Sequence, residues 1–383
     1  MSSSSESRRR GRDQPHGHDA AAKRPRRRQK HLYLVMDDWN MGYSIHKLDV
    51  DAWESDAAGI ETPRRLPEPA ALRIAAPEDR STAYFASLGN RILFVPDRYI
   101  DEDPILIYDT ETASLSVGPR PTPALLPLGH IFFVEINQRL YALNPRRADQ
   151  ECSFEVVSLV PRDVDEQDPL CRRTDRWAVE SVPAPMPFHR HELVGAHAVH
   201  PDGRTVFVSA RNRNPGHGGV RKEGTWSFDA RRAAWTWHGE WQMPFRDRGY
   251  YVDELDAWVG LRRDGFLCSC AVPSRGGAAA LPECKLGKKT MFREELDRHV
   301  GTPGATLAYI GNGRFCLVEC AAREGVAYED AIDGAVDGCV LHVTVFGLKY
   351  DKRGDLETTA QQPSRSYILS RCSGAFPAKM FWM

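Results

Sequence analysis

A short pattern that returns along the chain constrains its fold more than any other feature. An apolar run enters a Gly, Asn or Asp turn, and a second apolar run follows, most often opened by Arg. The copies read SLGNRILFV from Ser87 to Val95, EINQRLYAL from Glu135 to Leu143, HPDGRTVFV from His200 to Val208, RRDGFLCSC from Arg262 to Cys270, and GNGRFCLV from Gly311 to Val318. Self-similarity of this kind marks folds built by repetition and is read before any single motif. Each copy predicts a β-hairpin, with Asp202-Gly203, Asp264-Gly265 and Asn312-Gly313 expected to supply the positive φ angles of tight primed turns. A further hairpin is predicted where Leu32–Met36 is followed by the alternating run Gly42–Leu48.

A second pattern follows several hairpins: an aromatic or apolar residue, then Asp or Asn, a polar turn and another β-rich run. Tyr108-Asp109 precedes Thr110–Val117, Phe228-Asp229 precedes Ala230–His238, and Tyr350-Asp351 precedes Lys352–Thr359; Leu143-Asn144 and Leu48-Asp49 are weaker examples. Two linked hairpins make a four-stranded meander, and an Asp-led turn between outer strands is common in kelch-type blades. Copies opening at Arg91, Arg139, Arg204 and Arg314 are separated by 48, 65 and 110 residues, with the copy at Phe266 inside the last gap. The expectation is an all-β chain, a β-propeller of about six four-stranded blades over residues 31–383, with a pair of β-sandwiches as the alternative. Lys288–Arg298 is the best helix candidate, a short insertion. Pro161–Arg176, Arg211–Glu223 and Ser274–Pro282, rich in Gly, Pro, Ala or charge, read as surface loops.

The overall charge of -1 hides an asymmetry: residues 1–30 carry ten Lys or Arg against Glu6, Asp13 and Asp19, a net of +7, which leaves -8 for the remainder. With few large apolar side chains, the first thirty residues are expected to be a disordered tail. The acidic body disfavours nucleic-acid binding. In the tail, Arg8, Arg9, Arg10 and Arg12 are followed after a ten-residue gap by Lys23, Arg24, Arg26, Arg27 and Arg28, the layout of a two-part nuclear-import signal read by an import receptor. The acids interrupting this region disfavour an organelle transit peptide. A nuclear or nucleocytoplasmic location is therefore expected. Nine irregularly spaced cysteines without an apolar leader do not suggest a disulfide framework. No run approaches the roughly 20 apolar residues of a spanning helix, so a soluble chain without a membrane partner is expected.

Candidate chemistry is sparse. His189, His191, His197 and His200, with Cys268 and Cys270, lack the paired spacing of a metal site, and Cys316 and Cys320 read as buried thiols sharing a strand face. Asp253, Glu254 and Asp256 beside Trp258 read as a hairpin turn rather than a carboxylate pair. Trp226, Trp235, Trp237 and Trp241 are expected to pack between sheets. Phosphate-loop, dinucleotide, nucleophile-elbow and zincin motifs do not occur in a fitting context. No catalytic, cofactor-binding or metal residue is assigned, and no cofactor is expected.

AVHPDGRTVFVS, GTWSFDARRAAWTWHGEWQMPF, ELDAWVGL, GFLCSC, CKLGK and ATLAYIGNGRFCLVEC resemble a large plant family, expanded in grasses, that is catalogued as a domain of unknown function and looks kelch-like. The resemblance covers most of residues 31–350 and implies a propeller without an assigned activity. Residues 1–31 are too short and too polar for the F-box found on some plant kelch-like proteins. The resulting expectation is a noncatalytic protein-interaction scaffold with unidentified protein partners. The alternative is an enzyme or small-molecule binder using the central face of the propeller.

Overall fold

Every repeated segment forms an antiparallel hairpin, and the hairpins join into meanders. The computed structural model describes residues 29–39, 41–55, 62–76, 83–96, 103–122, 131–144, 153–161, 175–188, 192–212, 223–276, 281–301, 304–333, 337–360, 362, 364–369, 376 and 378–383. The sheets lie in the unit His31–Met383.

The first sheet contains β1 (Leu32–Trp39), β2 (Gly42–Leu48) and, after a two-residue strand β3 (Arg64–Arg65), β4 (Leu72–Ala75). The second is the meander β5 (Tyr84–Leu88), β6 (Arg91–Val95), β7 (Leu106–Asp109) and β8 (Ser114–Val117). The third is β9 (Phe132–Ile136), β10 (Arg139–Asn144), β11 (Ser153–Pro161) and β12 (Asp175–Ser181). Next come β13 (Glu192–Val199), β14 (Thr205–Asn212), β15 (Gly224–Asp229) and β16 (Ala234–Gly239), then β17 (Arg246–Val252), β18 (Ala257–Leu261), β19 (Phe266–Ala271) and β20 (Cys284–Thr290). These two meanders are joined by a short parallel pairing of their first strands, with Ala196 opposite Asp247 and His197 opposite Arg248. The last sheet has β21 (Ala305–Gly311), β22 (Arg314–Ala322) and the long β23 (Cys339–Tyr350), whose two halves pair separately with β24 (Leu356–Thr359) and β25 (Arg365–Leu369). Finally β26 (Lys379–Trp382) returns to lie antiparallel to β1, Leu34 opposite Met380, and completes the first sheet.

The hydrophobic core is distributed between successive sheets. On β1, Tyr33 and Val35 pack with Ile45 against Phe85, Ile92 and Tyr108 of the second sheet. Alternate residues Leu32, Leu34 and Met36 face the other way, against Val318, Leu341 and Val343 of the last sheet. The same pairing links Leu93 and Ile107 to Leu140 and Val157, then Tyr141 and Phe154 to Val208 and Phe228. It continues from Phe207 to Trp258 and Cys268, and from Val259 and Leu267 to Leu317 and Phe346. Last packs on first, so the array closes. This is a β-propeller; two sandwiches would leave one face of each sheet to solvent. Burial on both faces also explains why runs such as LYLVM and RFCLV are apolar without alternation.

The Asp-led turns work through their carboxylates. Asp109 Oδ1 accepts from the Glu111 and Thr112 N–H groups at 3.0 and 3.1 Å, Asp229 Oδ1 from Arg231 and Arg232 at 2.9 and 3.2 Å, and Asp351 Oδ1 from Arg353 and Asp355 at 2.8 and 3.0 Å. Local self-pairing of this kind is what favours Asp in turns. The hairpin turns divide into two kinds. Asn312 and Gly313 are both left-handed (φ 54° and 65°), as a primed turn needs. At Asp202-Gly203 and Asp264-Gly265 only the glycines have positive φ, 69° and 79°. There the aspartate accepts backbone N–H groups instead, Asp202 Oδ1 from Arg204 and Thr205 at 3.0 Å each.

The expected helix over Lys288–Arg298 is not formed. Lys288–Thr290 extends β20, and only a single 3-10 turn, Leu296–Arg298, follows. Pairing of β20 with β19 supplies backbone partners that an isolated helix of this length could not match. The α-helix among the described residues is α1 (Tyr328–Asp333), which covers the last sheet through the fully buried Ala331. Most of the three predicted loop insertions, 162–174, 213–222 and 277–280, lies outside the described residues.

Candidate functional site

The residues singled out for metal chemistry do not converge. His189 and His191 lie outside the described residues. His197 is buried on β13, with its ring edge-on to Phe132 at 4.0 Å, whereas His200 belongs to the turn after it and accepts from the Asp202 N–H at 3.1 Å. Cys268, Cys270, Cys316 and Cys320 are buried on strands, and among the described residues no group of His, Cys, Asp and Glu is arranged to hold a metal ion. Asp253 to Leu255 form a 3-10 turn closed by left-handed Asp256, whose carboxylate accepts from Tyr251 Oη at 2.8 Å. That bond pushes the Tyr251 hydroxyl up to about 12. Trp258 is core, its Nε1 donating to the Val199 carbonyl at 2.9 Å. The tryptophans pack as expected: Trp226 lies 4.3 Å from Trp237, Trp235 sits among Phe154, Phe188 and Phe228, and Trp241 donates to the His238 carbonyl. The basic clusters from Arg8 to Arg28 lie outside the described residues.

The structure assembles a different constellation where β13 meets β17. Both strands are irregular there: β13 shifts register at Gly195, and β17 between Arg246 and Tyr250, where Asp247 has φ 58°. The two irregularities leave a cavity of about 330 Å³. Met243, Pro244 and Phe245 form part of its wall. Phe245 fits because Gly249 and Gly260 lie under its ring; a Cβ at either would stand 2.3 Å from a ring carbon. Around this apolar patch stand Arg211 from β14, Arg246 from β17, and Arg262, Arg263 and Asp264 from the β18–β19 turn.

Charge in the cavity is unbalanced. Arg262 is neutralised by Asp264, Nη2 to Oδ2 2.8 Å and Nε to Oδ1 3.1 Å, which draws the Asp264 carboxyl below its ordinary range. Arg246 lies 3.2 Å from the exposed Asp247 carboxylate. No carboxylate of the described residues forms an ion pair with Arg211 or Arg263. Burial lowers the Arg246 pKa, Asp247 offsets part of this, and the nearby Arg263 charge lowers it further. The partly buried Arg246 guanidinium thus lies near the exposed, like-charged Arg263, an arrangement that an anion relieves.

Towards the strands that begin each sheet, more charge follows. Arg248 lies over the Tyr250 ring at 4.9 Å, and Tyr250 Oη donates to the Leu307 carbonyl at 2.9 Å. Lys379 of β26 feels both Asp247 and Arg246, and its ammonium pKa is lowered chiefly by burial. Burial first, and then the Arg248 charge, hold His197 well below the usual imidazole range, so it is neutral. Among the described residues, no serine, cysteine or histidine lines the cavity. The arrangement is suited to holding negative charge: guanidinium groups bind carboxylate or phosphate oxygens in pairs and stay charged at any physiological pH. Their positions, from Arg211 to Lys379, form no local motif; only the Arg262-Arg263 pair inside a repeat copy carried a signal.

Among solved structures, the chain is similar to apo AztD from Citrobacter koseri (9% identity, TM-score 0.36, 92% of this chain and 98% of that one). It is also similar to YjhT (9%, 0.35, 73% and 93%) and to a Cellvibrio cellulosa alpha-L-arabinanase complexed with arabinohexaose (12%, 0.28, 72% and 94%). At such values these likenesses say nothing about what this chain binds. No curated protein matches it. Residues 29–367 do match one family along almost the whole propeller, and the chain therefore belongs to the family described as Protein of unknown function (DUF1668).

Proposed function

We propose that this β-propeller binds a small anionic ligand, one carrying a phosphate or carboxylate group, in the arginine-lined cavity between β13 and the β17–β18 hairpin. One observation carries the reading: Arg211, Arg246, Arg262 and Arg263 surround one space of about 330 Å³ in which Asp264 is the one carboxylate among the described lining residues. Of the two functions expected from the sequence, this favours the small-molecule binder over the protein-interaction scaffold.

The test is calorimetric titration of the purified protein with inorganic phosphate and, separately, with citrate. Arg263 is exposed, so Arg263→Glu should fold normally. A charge-assisted hydrogen bond contributes about 1.5–3 kcal/mol, so its loss should weaken binding by about 10- to 100-fold. The stronger of the two anions identifies the ligand class. Equal affinity in wild type and variant, or no binding of either anion, would remove the reading.

The nuclear location and the import role of Arg8–Arg12 and Lys23–Arg28 are proposed on their spacing and charge alone. Fluorescent fusions of the full chain and of residues 31–383 should differ, with only the former accumulating in nuclei; identical distributions would sink the assignment.

A further inference from the structure

We propose that Cys270 and Cys284 are a modification site, a cross-strand thiol pair that closes to a disulfide when a peroxide oxidises Cys284. The two stand directly opposite each other on β19 and β20, with Sγ atoms 3.5 Å apart. The neighbouring pair is joined by the Ala271 N–H to Glu283 carbonyl bond, so Cys270 and Cys284 occupy the non-hydrogen-bonded position of the ladder. At that position Cα atoms approach to about 4.5 Å and side chains come closest, within the roughly 4.4–6.8 Å that a disulfide spans. Little backbone movement is needed to close the bond.

The pair is also asymmetric in access. Cys284 is exposed, in β20 at the end of its sheet, and Cys270 is fully buried among Trp258, Phe245 and Met243. With both thiols protonated, Cys284 donates to Cys270. Once Cys284 has lost its proton, the Cys270 S–H becomes the donor, which draws Cys284 down to about 7 while the same bond and burial push Cys270 up. The thiol that solvent reaches is thus the one that ionises first, as a peroxide-reactive cysteine requires.

The chemistry balances with hydrogen peroxide as the oxidant. The Cys284 thiolate attacks one peroxide oxygen, the O–O bond breaks, and the departing hydroxide takes a proton to leave as water. The resulting sulfenic sulfur is attacked by Cys270. An S–S bond forms, the S–O bond breaks, and the Cys270 proton leaves with the hydroxyl as a second water. Two thiols are oxidised by two electrons, and peroxide is reduced to two waters.

The test uses the full-length protein treated with hydrogen peroxide, blocked with N-ethylmaleimide in denaturant and digested with trypsin without reduction. Cleavage after Arg263, Arg275 and Lys285 separates peptide 264–275 from peptide 276–285. The expected product is these two joined, their summed mass less two hydrogens plus one N-ethylmaleimide on Cys268, with fragment ions placing the link at Cys270, and released by dithiothreitol. Cys284→Ser, at an exposed position that tolerates it, should abolish the product. Iodoacetamide labelling of Cys284 should reach half its maximal rate near pH 7. Recovery of Cys284 as sulfinic acid with Cys270 still free, a link to Cys268, or a joined product persisting in Cys284→Ser would each overturn the proposal.

Discussion

Deleting Lys379–Met383 is expected to leave a chain that does not fold. β26 pairs with β1 from Leu32–Trp382 to Val35–Lys379 and fills one edge of the first sheet. His31 and Met383 add reciprocal backbone bonds, N–H to carbonyl, at 2.6 and 3.1 Å. Without this strand, β1 becomes an open edge and the cluster around Leu32, Leu34 and Met380 meets water on one side. Burying Met380 contributes about 1.5–3 kcal/mol, and each lost backbone bond about 1 kcal/mol. The total is on the order of 5 kcal/mol or more, comparable to the roughly 5–15 kcal/mol stability of a whole domain. Urea unfolding of the truncated chain should show no cooperative transition. Met380→Ala, which keeps the strand, should instead fold and lose about 2–5 kcal/mol. A truncated chain melting within a few degrees of wild type would mean that closure contributes little.

Glu319→Ala should cost about 3–5 kcal/mol, the usual loss when one partner of a buried charged network is removed. Glu319 is 1% exposed on β22. Its carboxylate accepts from the Arg293 and Glu294 N–H groups at 3.0 and 2.8 Å and lies 2.7 Å from His299 Nε2. The variant leaves these partly buried groups without an acceptor and frees the segment that crosses the last sheet. Burial alone would raise the Glu319 pKa, but the His299 contact and the two backbone donors bring it below its ordinary 4.5. A carboxylate whose folded pKa is depressed stabilises fully above its unfolded pKa and loses that contribution as pH falls through the folded value. The gap between wild type and Glu319→Ala should therefore shrink as pH falls below about 4.5. Chemical denaturation at each pH measures it; a gap unchanged at pH 3.5 would show that the carboxylate charge is not what holds the segment.

Much of the fold was legible in the chain because its instructions are local. Gly203, Gly265 and the Asn312-Gly313 pair stand where backbone must turn left-handed, and Asp109, Asp229 and Asp351 accept the N–H groups of their own turns. Interactions spanning two to four residues are written in consecutive letters, so the hairpins and meanders could be read directly. Segments whose structure depends on a neighbour were misread. Lys288–Thr290 carries charges that suit a helix, yet β19 offers it a ladder; the six residues of α1 are too few to hold a helix without the sheet beneath Ala331.

By itself the sequence determined the all-β class, the repeated hairpin and the apolar material for sheets buried on both faces, since each depends on residues near one another in the chain. Only the tertiary structure decided that the last strand closes on the first, that Arg211, Arg246 and Arg263 share a cavity, and that Cys270 meets Cys284. Those outcomes depend on which sheets become neighbours and where β13 and β17 lose register. Both follow from the packing of the whole ring, which no short stretch of sequence encodes.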